Sequence, residues 1–155
     1  MIKKIQVIII LLILGGILWN PLSAQIPKEN AWDILADVSY TAKYLEEFGE
    51  KFLVPEFGQK PRQHEGKAFT ITGYMIPIDP ENDIFILSKN PFASCFFCGS
   101  AGPETIVELI FKKKSKVRKK TYQIDDIRTF RGVLRLNAED VEHTNFILEK
   151  AEEVM

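Results

Sequence analysis

The chain has 155 residues, a formal net charge of −1 and two cysteines. Its near-neutral balance gives no global field that would hold nucleic acid, and its length suits one domain rather than several. No internal repeat or low-complexity linker divides it.

Met1 to Lys4 is a short basic start, followed by the apolar run Val7 to Leu18 and then Asn20, Pro21, Leu22, Ser23 and Ala24. That order of basic, apolar and small residues reads as a secretory signal peptide over residues 1–24, cut after Ala24. The run falls short of the roughly 20 residues a spanning helix needs. An uncleaved amino-terminal anchor is the alternative. Gln25 rather than a cysteine follows Ala24, which excludes lipid attachment at that point. Either way the remaining chain is expected outside the cytoplasm, in the periplasm.

Residues 25–66 read as a helical and irregular segment. Asn30 is placed to cap a short helix carrying Trp32 and Leu35. A second helix is expected from Thr41 to Phe48, with Tyr44, Leu45 and Phe48 at helical spacing and Gly49 as its stop. Pro55, Gly58 and Pro61 predict irregular chain up to Gly66.

From Lys67 the period changes to two. Phe69, Ile71, Gly73 and Met75 share one face of a strand, and Ala68, Thr70, Thr72 and Tyr74 the other. Asp79 to Asp83 is a turn cluster, and Ile84 to Leu87 continues as the partner strand. Thr105 to Phe111 reads as a third strand. The basic run Lys112 to Lys120 reads as a solvated hairpin turn. Tyr122 with Ile124 suggests a fourth strand and Gly132 to Leu136 a fifth. Phe146 to Ala151 forms a last strand or a short helix. Residues 67–155 therefore predict a mainly β fold: a small antiparallel barrel of the oligomer-binding type, with residues 25–155 as one domain.

Gly73 to Pro77, Phe85 to Leu87, and Cys95-Phe96-Phe97-Cys98-Gly99 through Glu104 form a pattern, with Trp32, Leu35 and Val54 to Phe57 upstream. In these residues the chain resembles a family of small exported bacterial proteins, known as a domain of unknown function. The resemblance implies a barrel of the oligomer-binding type. It also implies a neighbourhood of permease-type transporters, for which metal supply has been suggested.

The cysteine pair carries the chemistry. Two thiolates two residues apart chelate a soft or borderline cation such as zinc or copper, leaving positions that Glu104, His64 or His143 could fill. The same pair could instead form a disulfide in an oxidising compartment. In that case Phe92, Phe96 and Phe97 would be rim packing, or an exposed patch through which a stapled adaptor docks a membrane complex. Thiol–disulfide exchange is a third possibility. It is disfavoured because no helix opens at the pair and the intervening phenylalanines desolvate a thiolate. Gly99 stands where covalent haem attachment needs histidine. No nucleophile elbow, zinc-protease helix or phosphate loop is present.

These readings predict a non-enzymatic exported barrel with the cysteine loop as its working surface. It would bind a metal or a metal transporter of the envelope, and would not bind nucleic acid. Intact-mass analysis of exported protein should find a chain beginning at Gln25. Residues 1–24 still attached would establish the anchor instead.

Overall fold

The computed structural model describes residues 30–112 and 122–154. Residues 1–24, expected to be a signal peptide, and most of the basic run from Lys112 to Lys120 lie outside the described residues. Helix α1 (Ala31–Leu35) starts where Asn30 accepts the Trp32 amide at 3.1 Å. Strands β1 (Val38–Leu45) and β2 (Glu50–Phe57) form an antiparallel ribbon, and α2 (Gln59–His64) follows. Strands β3 (Ala68–Asp79), β4 (Ile84–Ser88), β5 (Ile106–Phe111), β6 (Ile127–Leu136) and β7 (Phe146–Glu153) close a barrel in the order β3-β4-β5-β7-β6.

This is the small barrel expected from the sequence. Its pairs are antiparallel except β5 with β7, which run parallel. First, second, third, fifth and fourth strand in order, with one parallel seam, is the arrangement of the oligomer-binding barrel.

The alternation of β3 has the predicted physical cause. Phe69, Ile71 and Met75 face inward and are buried. They meet Phe85, Leu87, Val107, Leu109, Phe130, Leu134 and Leu148, with Leu136 half-buried at the margin. Helix α1 adds Trp32, Ile34 and Leu35 to this core, and the Trp32 indole N–H donates to the Thr72 carbonyl at 2.7 Å. Gly73 is required where β3 passes under this indole. A Cβ there would meet the Ser88 carbonyl oxygen at 2.5 Å and Trp32 Cζ2 at 3.0 Å.

Three expectations are corrected. Thr41 to Phe48 is not a helix: Val38 to Leu45 is strand β1, and only Gly49, at φ 68, keeps its role as a stop, now in a turn. Val38, Tyr40 and Thr41 prefer extended backbone, and Phe52 to Val54 across the turn give them a partner, so pairing overrides the local helical spacing. The segment from Val54 to Gly66 is regular. β2 runs through Pro55, and α2 accepts Pro61 in its first turn, where its missing N–H costs nothing. Tyr122 and Ile124 form no strand. Tyr122 is a core ring stacked on Phe111 at 6.1 Å between centroids, and Asp125, at φ 67, turns the chain before β6 begins. Phe146 to Ala151 resolves as strand rather than helix.

Gly73→Ala should lower the unfolding free energy by about 1–3 kcal/mol, because the added methyl overpacks a strand crossing that cannot give way. Urea denaturation followed by far-ultraviolet circular dichroism measures it. An unchanged midpoint would contradict the close approach.

Candidate binding groove and cysteine loop

Between β4 and β5 the chain makes three short 3-10 turns, Phe92–Ser94, Phe96–Cys98 and Pro103–Thr105. The loop is pinned at its base, where the Lys89 N–H donates to the Thr105 carbonyl at 2.9 Å. At its flank the Phe92 N–H donates to Asp125 Oδ1 at 2.7 Å. Cys95 is fully buried outside the barrel, among Ile76, Ile86 and Ile106, with Phe96 packed over the cluster. Cys98, one turn later, is exposed. Its thiol donates to the Phe92 carbonyl at 3.1 Å. Both cysteines are free.

Desolvation, and then the neighbouring Cys95, push the Cys98 thiol above its ordinary pKa. A raised value keeps it protonated, and therefore a weak nucleophile, at neutral pH.

The other residues singled out from the sequence lie apart from the pair. The Glu104 carboxylate folds back against Gly102, and its charge reaches Tyr40. Burial first, and that charge second, raise the Tyr40 hydroxyl well above its usual pKa. His143 Nδ1 sits 2.8 Å from Glu108 Oε1, in the loop before β7. His64 Nδ1 lies 2.9 Å from the Lys60 carbonyl, with its ring edge-on to Phe69. Among the described residues, no group of three or more His, Cys, Asp or Glu side chains gathers to hold a metal ion.

Sequence reasoning missed a groove of about 790 Å³ across the outer face of β4 and β5. Its floor is Ile84, Ile86 and Ile106. These residues alternate with the inward Phe85, Leu87 and Val107, so the same period of two that builds the core also builds the floor. Phe96 and Phe97 of the cysteine loop form one wall, whereas Phe92 lies outside it. The β1–β2 ribbon forms a second wall, with Phe52, Leu53 and Val54.

The loop between β6 and β7 forms a third wall, carrying Glu139, Asp140 and Glu142. Buried Asn137 holds its shape. The side-chain amide donates to the Asp140 carbonyl at 2.7 Å and the Thr144 carbonyl at 3.2 Å, and Oδ1 accepts the Asp140 amide at 3.0 Å. Glu108 of β5 then accepts the Thr144 amide at 3.2 Å. The signal available in the sequence was Ile84, Ile86 and Ile106: more apolar residues than one face of a two-sided strand needs.

No family model, curated protein or solved structure matches the chain. The geometry alone defines the site. In barrels of this topology, the face of the second and third strands and the loops after the first and fourth are the surfaces that bind ligands. Here these are β4 with β5, the Asp79–Ile84 turn beside Ile78, and the 137–145 loop. The groove occupies that place.

In fully reduced protein, a thiol-reactive chromophore should label Cys98 in the folded state and Cys95 only on unfolding. The Cys98 rate should lie below that of free cysteine at neutral pH and keep rising beyond about pH 8.5, the ordinary cysteine value. Equal rates for the two sulfurs, or a Cys98 rate already maximal at neutral pH, would contradict this arrangement.

Proposed function

We propose that this chain is an exported, non-catalytic binding module that docks a protein of the cell envelope in the groove over β4 and β5. The observation that carries the reading is the placement of an apolar floor on the ligand face of the barrel, walled by the ribbon, the cysteine loop and the 137–145 loop. Ile84 remains 43% exposed and Phe97 48%, so apolar area is still in water there. Exposed apolar area concentrated in one concavity favours a partner. Glu108, Glu139, Asp140 and Glu142 around the same groove oppose a phosphate backbone, which argues against single-stranded nucleic acid.

A second reading keeps Cys95 and Cys98 as half of a soft-metal site for zinc or copper. It is favoured by one observation: two free thiols held one turn apart. The chain brings none of Glu104, His64 or His143 to the pair, so a docked transporter would supply the remaining ligands. Thiol exchange has less support, since desolvation and the neighbouring Cys95 both disfavour the Cys98 thiolate.

A photocrosslinking amino acid placed at Ile84 or Leu53 in intact cells should give one discrete adduct, and none when placed at the exposed Thr70 on the barrel's other side. Adducts equal at all three positions, or absent at all three, would sink the groove reading. Metal retained by purified protein and lost in Cys95→Ser would move the weight to the second reading.

A further inference from the structure

In the closed barrel each of the five strands pairs with two others. The ribbon differs: among the described residues, β1 and β2 pair only with each other. Where the ribbon borders the groove, β1 contributes alternate residues, Lys43 and Leu45, but β2 contributes four in succession, Lys51, Phe52, Leu53 and Val54. Successive side chains of a strand point to opposite faces. A strand that lines a cavity with consecutive residues therefore presents its edge to it, with the unpaired main-chain N–H and C=O groups. Pro55 ends the usable stretch because it carries no N–H.

Charge is divided across the same groove. Lys43 and Lys51 stand on the ribbon side, and Glu139, Asp140 and Glu142 on the loop side, with the isoleucine floor between.

Resting on the groove as a docking site, we infer that its occupant is an extended segment of a partner protein that adds as a third strand to the free edge of β2. Main-chain hydrogen bonds to alternate residues between Lys51 and Val54, those whose N–H and C=O do not face β1, supply the register, as in other strand additions. Apolar side chains of the segment rest on the exposed Ile84, Phe97 and Leu53, and a lysine or arginine at one end meets the carboxylates of the 137–145 loop. A second copy adding through its own β2 would bring Glu50 and Glu56 toward those carboxylates; one adding through β1 is the competing occupant that the test separates.

The test screens the mature protein against a random library of capped octapeptides. Selected binders should alternate β-branched or aromatic residues with polar ones and carry a basic residue at one end. Methylating alternate main-chain nitrogens of a binder should weaken it by about tenfold or more. The double substitution Glu139→Lys with Glu142→Lys, at two exposed positions, should turn the end preference from basic to acidic while circular dichroism stays unchanged. Binders indifferent to N-methylation would overturn strand addition and leave groove docking standing. Absence of binders would overturn both the strand addition and the charge preference, with the cellular adducts deciding groove docking separately. Concentration-dependent dimerisation abolished by Leu53→Arg would assign the edge to a second copy and overturn the inference.

Discussion

The parallel pairing of β5 with β7 is the contact on which the rest of the molecule depends. It closes the barrel, and it fixes where the chain enters β7. Because the two strands run the same way, Glu108 near the start of β5 lies opposite Ile147 near the start of β7. The 137–145 loop must then arrive at the mouth of the β4–β5 face. Glu108 fastens it there, receiving the Thr144 amide at 3.2 Å and standing 2.8 Å from His143 Nδ1. An antiparallel seam would have carried that loop to the opposite end.

The other two walls depend on the same barrel in different ways. The cysteine loop is held as packing: Cys95 sits in an apolar cluster on the outside of β3, β4 and β5, and this placement presents Phe96 and Phe97 to the groove. The ribbon is held mainly at its base. The Gly58 N–H donates to the Asp37 carbonyl at 2.7 Å and the Lys60 N–H to the Asp37 carboxylate at 2.9 Å. Val38 and Phe57 pack on the core, while Tyr44 and Leu53, farther out, stay more than half exposed at 59% and 53%. A rigid floor and two fixed walls thus face one wall that is anchored at a single end.

The barrel was legible in the sequence because its first strand, β3, alternates along most of its length. Phe69, Ile71 and Met75 on β3, and Phe85 and Leu87 on β4, declare an inner face that only a sheet can bury. The asparagine cap of α1 was equally local. The ribbon was not legible, because Tyr44, Leu45 and Phe48 satisfy a helical period as well as they satisfy a strand and its turn. Only the tertiary pairing with Glu50 to Phe57 decides between the two. Tyr122 misled for a related reason: its ring is core, but its backbone is a turn. The cysteine pair was singled out as the most distinctive motif, and Cys95 lies in apolar surroundings. His64 and His143 were named for their chemistry, and each lies beside a partner of its own. The groove as a whole could not be read, since its residues come from stretches of chain scattered between Lys43 and Asn145.

The most direct measurement is hydrogen exchange on the intact protein, free and bound to its tightest peptide ligand. If the groove is the working surface, the alternate amides of β2 between Lys51 and Val54 that do not face β1 exchange quickly in the free protein and become protected on binding. Protection should extend to the 137–145 loop, with the barrel strands unchanged. Protection confined to the cysteine loop, to β1, or to the side of the barrel bearing Thr70 would contradict it.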